Sequence, residues 1–172
     1  MTDTELRPLL ERLRTGDRDA FEALYRGLSG PVFTVAVRIT RDRMLAEDVL
    51  QEFFLKLFRT PPEPGVKNPR AYLYRTARNL ALDALRSRPD WSELKEGAAA
   101  RDGPERWQRR LDLEGAFGAL GEEERQIAAL HLNGGLTFRE VAQIVERPLG
   151  TVLWKYQKAL GIMRNYLNGG AT

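Results

Sequence analysis

Residues 136–152 read Leu-Thr-Phe-Arg-Glu-Val-Ala-Gln-Ile-Val-Glu-Arg-Pro-Leu-Gly-Thr-Val, and this stretch decides the fold. Thr137-Phe138-Arg139-Glu140 has the spacing of a capping box, in which the Thr and Glu side chains each satisfy a free backbone N–H at a helix start. Leu136 and Val141 flank it at hydrophobic-staple positions, and Val141, Ala142 and Val145 face one way. The break Glu146-Arg147-Pro148-Leu149-Gly150 leads at once into a second helix, with Val152, Tyr156, Ala159, Leu160, Met163 and Leu167 as its inward stripe. Its outward face begins with Trp154, Lys155, Gln157 and Lys158. A short helix, a tight turn and a longer helix with polar, basic outward residues predict a helix-turn-helix. The major groove, about 12 Å wide, admits one such helix by its N-terminal half. A plain helical hairpin with solvated lysines carries the same pattern, so this stretch alone favours duplex DNA without requiring it.

Working outward, Leu113, Phe117 and Leu120 give one short stripe, and Ile127 with Leu130 gives another after Glu122-Glu123-Glu124. Upstream of about residue 110 the periodicity dissolves. Pro89, Gly97, Ala98-Ala99-Ala100, Gly103 and Pro104 among mixed charges predict a flexible linker over 89–110, unusual for a spacer in holding Trp91 and Trp107. Before it, every patterned segment has a helical period. A helix is expected after Gly16, with Asp19 and Glu22 as its capping box and Phe21, Leu24, Tyr25 and Leu28 on one stripe. Gly30-Pro31 is expected to break or bend it before Val32, Val35, Ala36 and Ile39 resume. A third segment, about 44–59, turns Ala46, Val49, Leu50, Phe53 and Leu57 inward, and Pro61-Pro62-Glu63-Pro64-Gly65 ends it. Asn68-Pro69 then caps a helix reaching about Arg86. The expected fold is all-α, with two small helical domains at 1–88 and 111–172 joined by the 89–110 linker.

Composition narrows the function classes. The 172 residues include no cysteine and one histidine, His131, which excludes disulfides, thiol chemistry and most metal or acid–base constellations. No apolar run approaches the roughly 20 residues needed to span a bilayer, and the polar, acidic start Met1-Thr2-Asp3-Thr4-Glu5 lacks the look of a secretion signal. A cytoplasmic protein with no membrane insertion, no metal and no cofactor is expected. Formal net charge is only +3, so the placement of charge carries more information than its sum.

Two surfaces of the first domain ask for more than folding. One is the polar face Glu47, Asp48, Gln51, Glu52, which by itself reads as a solvated helix side. The other is the segment 68–86, which carries Arg70, Arg75, Arg78 and Arg86 beside Tyr72, Tyr74 and Asn79, with Lys67 just ahead. Arginines pair with phosphates and aromatic rings stack on unpaired bases, a mixture suited to single-stranded nucleic acid. The same residues would equally serve as a core stripe with exposed arginines.

At this point the motifs resemble a known family. Ala46-Glu47-Asp48-Val49-Leu50-Gln51-Glu52-Phe53-Phe54 resembles the core-polymerase-binding signature of bacterial sigma-70 family sigma factors. Tyr72-Leu73-Tyr74-Arg75-Thr76-Ala77-Arg78-Asn79 resembles their promoter −10 segment. Residues 136–142 and 148–152 resemble their −35-reading domain. Two domains with little before or between them are similar to the extracytoplasmic-function (ECF) group. The resemblance implies that Asp48, Gln51, Glu52 and Lys56 dock on the clamp helices of the polymerase largest subunit, with the flap as a second contact. It implies that Lys67, Arg70, Tyr72, Tyr74, Arg75, Arg78, Asn79 and Arg86 meet the −10 DNA, and that Asn79 helps read a flipped base in a pocket shaped by the loop 60–68. Thr137, Arg139, Thr151, Leu153, Trp154, Lys155, Gln157 and Lys158 would meet −35 DNA, and Asp90, Glu93, Glu96 and Asp102 would mimic nucleic-acid charge near the RNA exit path. An anti-sigma factor is an implied partner, and no catalysis is implied.

The sequence departs from the family at Leu153-Trp154-Lys155, where many members carry a basic residue, then Ser, then Arg. An apolar side chain can touch a thymine methyl but cannot grip guanine with two hydrogen bonds. Two rival readings stand beside the sigma factor. A conventional helix-turn-helix regulator would bind duplex operators without polymerase and would need neither the 68–86 surface nor Asp48, Gln51 and Glu52. A nuclease would need Glu47, Asp48 and Glu52 to gather a metal.

Overall fold

Polar caps set where these helices start. Thr2 accepts from the Glu5 N–H while the Glu5 carboxylate takes the Thr2 N–H, and this box opens α1 (Asp3–Arg14). Asp17 caps α2 (Arg18–Thr40) by accepting from the N–H groups of Asp19 and Ala20. Asp42 caps α3 (Arg43–Arg59), and Asn68 caps α4 (Pro69–Arg86) with Pro69 in its first turn, where a missing N–H costs nothing. The computed structural model describes residues 1–87 and 112–169. The expected linker 89–110, with Trp91, Trp107, Asp90, Glu93, Glu96 and Asp102, lies outside them. Helix α5 spans 112–118 in the described residues. Helix α6 (Glu122–Ala128) runs on into a π-helical turn, Ala129–Asn133. Then come α7 (Phe138–Val145) and α8 (Leu149–Leu167).

Several expectations need correcting. The first helix lies before Gly16, where α1 buries Leu6, Leu10 and Leu13. The cap of α2 is Asp17, and the Asp19/Glu22 pair plays no part in it. Nor does Pro31 interrupt α2, which is continuous through it. Proline removes one ladder bond, but Leu24, Leu28, Val32, Val35, Ala36 and Ile39 form one buried stripe along the whole helix, and breaking the helix would expose half of it. The stripe of α8 is also shorter than expected, because Leu167 is exposed, as is Leu113 on α5.

Both helical units of the expected all-α fold are present, α1–α4 and α5–α8, and they pack on one another. One buried cluster runs from Leu6 and Leu24 through Phe53 and Leu73 to Ile127, Leu136, Ile144 and Val152. A smaller cluster holds Phe117, Leu120, Ala159 and Met163 under α5 and α8. Helix α2 lies against α6 and the π-turn, and α4 lies against α7. No helix of the described residues is long and apolar enough to cross a membrane.

Candidate nucleic-acid interface

Helix α3 buries Ala46, Val49, Phe53, Phe54 and Leu57. That period of three and four leaves Asp48, Gln51, Glu52 and Lys56 together on the exposed side. Glu47 pairs with Arg43 one turn back, at 3.1 Å. Among the described residues no group of three or more carboxylates, histidines or cysteines is arranged to hold a metal.

Helix α4 divides its expected nucleic-acid residues into two sets. Lys67, Tyr72, Asn79 and Arg86 are exposed, with Arg86 paired to Asp83 at 3.0 Å. The others face the second unit. Arg70 lies 3.6 Å from Glu140, Arg75 donates to the Gln143 carbonyl at 3.3 Å, and Arg78 donates to Gln126 at 2.8 Å and to the Ile144 carbonyl at 3.3 Å. Burial pushes the Arg78 guanidinium down from its usual range. Tyr74 is buried against Gly134, where an added side chain would come within 3.4 Å of its ring. In this arrangement Tyr74 is a packing residue and offers no face to a base.

Glu140 ties the two units together. Its carboxylate closes the Thr137 capping box, accepting from the Thr137 N–H at 2.6 Å. It also accepts from the Asn68 side-chain amide and faces Arg70. Burial raises its pKa, but the donors Asn68 and Thr137 and the Arg70 charge outweigh that and hold it below the ordinary 4.5. One cap residue therefore both starts the helix-turn-helix and joins it to α4. The loop 60–68 is held by another residue absent from the expectations: Arg7 of α1 donates to the carbonyls of Val66 and Lys67.

In the second unit, α7 and α8 form the expected helix-turn-helix, with Glu146 in the left-handed region at φ 56° to end α7. Thr137, Arg139, Leu153, Trp154, Gln157 and Lys158 are exposed, and Thr151 is half-buried. Lys155 is mostly covered. Its ammonium lies 3.0 Å from Glu123 and 3.4 Å from Glu124, and Lys158 lies 3.1 Å from Glu124. Arg147, in the turn, pairs with Glu123 at 2.6 Å. The acidic start of α6 thus anchors the turn and the first half of α8. Sequence reading passed over Glu123 and Glu124 because their partners lie more than 20 residues downstream, beyond any local spacing rule.

These carboxylates make the second unit acid-sensitive. Arg147 and Lys155 hold Glu123 below 4.5. Burial works against Glu124, yet its own N–H, Lys158 and Lys155 hold it below 4.5 as well. A depressed folded-state pKa stabilises the fold above the unfolded value, and that stability is lost as pH falls through the folded value. Thermal unfolding followed by circular dichroism should therefore show a melting temperature that falls between about pH 5 and about pH 3. Glu124→Gln should flatten that slope. An unchanged slope would remove Glu124 from this role.

A model of Sigma-70 region 2 matches residues 24–89. Over 180 residues the chain is 31% identical to the ECF RNA polymerase sigma factor SigK of Mycobacterium ulcerans, covering 95% of this chain and 94% of that protein. It is 29% identical over 170 residues to the RNA polymerase sigma-H factor of Pseudomonas aeruginosa, covering 88% of each. Its fold is similar to that of the sigma factor RpoE in complex with the anti-sigma factor NepR from Bartonella quintana. That likeness has a TM-score of 0.72 at 19% identity over 86% of this chain and 96% of the other. CnrH in complex with the cytosolic domain of CnrY is similar at a TM-score of 0.69 and 19% identity, over 97% and 99%.

Proposed function

The chain belongs to the ECF group of RNA polymerase sigma factors, and from that premise we propose how its surfaces share the work of promoter selection. As a sigma factor it binds RNA polymerase core and directs promoter recognition and transcription initiation. Asp48, Gln51, Glu52 and Lys56 dock on the clamp helices of the polymerase largest subunit, and the second unit rests on the flap. The exposed Lys67, Tyr72, Asn79 and Arg86, joined by Arg70, Arg75 and Arg78 once released from the second unit, hold the separated −10 strand. Asn79 reads a base whose extrusion costs a few kcal/mol, a cost that core docking offsets. Helix α8, supported by Thr137 and Arg139, reads the −35 duplex.

The chain acts in the cytoplasm, by binding, while the polymerase carries out the chemistry. An anti-sigma factor is a further partner, by analogy with the complexes of RpoE and CnrH.

The observation that carries this division is where exposed polar side chains lie. They gather on the outer side of α3 and along α4, and α8 adds an exposed front of Leu153, Trp154, Gln157 and Lys158; these are the three places such a factor must touch. The packed arrangement adds a requirement. Elements named −10 and −35 lie about 25 base pairs apart, or about 85 Å along duplex DNA. A folded chain of this size is only about 40 Å across. The two units, 1–88 and 111–172, therefore separate on the promoter. The intervening residues 89–110 can reach about 75 Å when extended.

Run-off transcription with reconstituted holoenzyme tests the reading. Core with this chain should yield discrete transcripts from templates selected out of a randomised upstream library, and core alone should not. Failure to bind core, with no promoter-dependent product from any template, would overturn it.

A further inference from the structure

The front of α8 presents hydrocarbon where a groove-reading helix usually presents charge. Gly150, Leu153, Trp154 and Gln157 have the i, i+3, i+4, i+7 spacing of one helix face, and all four are exposed. Leu153 is 39% and Trp154 62% exposed, so neither packs inside the unit. The nearby cations do not take over the reading. Lys155 is held by Glu123 and Glu124, and Lys158 by Glu124. Both ammonium groups also lie over the Trp154 ring, 5.8 and 5.6 Å from its centre. Two cations fixed to α6 thus lie near the indole, which stays 62% exposed.

A cation with carboxylate partners is a poor guanine reader, because gripping guanine means giving those partners up. The apolar feature of the major groove is the C5-methyl of thymine. Charge around the patch suits DNA over a protein surface. Arg139 at the start of α7 is exposed, and Arg164 is exposed further along the same face of α8. Arg164, on that face, can meet a phosphate beside the apolar centre.

We propose that Leu153 and Trp154 are the specificity-determining residues of the upstream contact and that they select thymine through its methyl group. This rests on α8 being the −35 reader. Gln157, one turn on, fits a neighbouring adenine, whose N6 and N7 match an amide's acceptor and donor. The preferred upstream element is then rich in A·T pairs with thymines facing the start of α8.

The test uses holoenzyme made from the full chain and polymerase core, on a promoter selected by that holoenzyme. Thymines of the −35 element are replaced one at a time by deoxyuridine, which removes the methyl and keeps every hydrogen-bonding group. Promoter affinity should fall about fourfold for each methyl in contact, the weight of one buried methylene. Trp154→Ala and Leu153→Ala should lower affinity for the thymine promoter and erase the response to deoxyuridine. Both positions are exposed, so helicity should be unchanged.

Selective transcription that ignores the methyls would overturn the proposal and leave the sigma-factor reading standing. The same holds if Trp154→Ala weakens core binding while the methyl response persists, which would make the patch a protein contact. Loss of promoter-dependent transcription altogether would overturn both.

Discussion

Tying α4 to α7 should cut promoter-dependent transcription about 100-fold, and releasing the tie should restore it. Arg75 donates to the Gln143 carbonyl across the boundary between the units, and both side chains are exposed. A chain carrying Arg75→Cys and Gln143→Cys has no other thiol, since the sequence contains no cysteine. A short, reducible bifunctional thiol reagent can then join the two positions without entering the core. A tied chain cannot bring its two readers to elements about 85 Å apart. Residual activity should then equal the unlinked fraction, about 1% after efficient coupling. The same doubly substituted chain left unlinked is the reference, so any contribution of Arg75 itself cancels. A tied chain as active as the untied one would show that the packed arrangement is compatible with initiation.

The boundary has to open on the proposed reading. Its polar contacts include Asn68, Arg70, Arg75 and Arg78 on one side and Glu140, Gln126 and two backbone carbonyls on the other. Among the described residues, Arg78 forms no ion pair with a carboxylate at the boundary, and the buried Nε of Arg70 has no hydrogen-bond partner. Desolvating such charges offsets much of what their contacts return. Phosphates of a promoter strand would compete for the same three guanidiniums and satisfy them better. On the proposed reading, opening and strand binding are coupled, because three of the residues that join the units are among those proposed to hold DNA.

Much of this was legible from local chemistry. The Thr137/Glu140 box, the Asn68-Pro69 start and the α3 stripe were read correctly because each depends on neighbours within one or two turns. Helix α1 was missed although Thr2 and Glu5 form the same kind of box, with Leu6, Leu10 and Leu13 behind it; reading its start as merely polar set the box aside. Pro31 misled for the opposite reason. A local rule forbids it, and burial of a stripe on both sides of it overrides the rule. Tyr74 and Lys155 lay beyond local reading altogether. Tyr74 is covered by Gly134, and Lys155 is held by Glu123 and Glu124. The spacing within α4 or α8 carries no trace of either neighbour.

Replacing Asp48 and Gln51 together by alanine should weaken core binding by about 100-fold or more and leave the fold intact. Both side chains are exposed on α3 while Ala46, Val49 and Phe53 beside them are buried. Alanine is the best helix former, and surface changes of this kind usually alter stability by less than about 0.5 kcal/mol. The melting temperature should therefore barely move. At an interface the same two side chains sit near the middle of the exposed face, flanked by Glu47, Glu52 and Lys56. Central contacts there lose about 2 kcal/mol or more on truncation, roughly 30-fold each, and some non-additivity still leaves about 100-fold for the pair. Glu11→Ala, on the exposed side of α1, is the control and should change nothing. Core affinity is read by titrating labelled chain with polymerase, and run-off transcription at limiting chain should fall in proportion. If affinity holds while the fold is unchanged, the docking face lies elsewhere, and the exposed Leu55 and Phe58 further along α3 become the next place to cut.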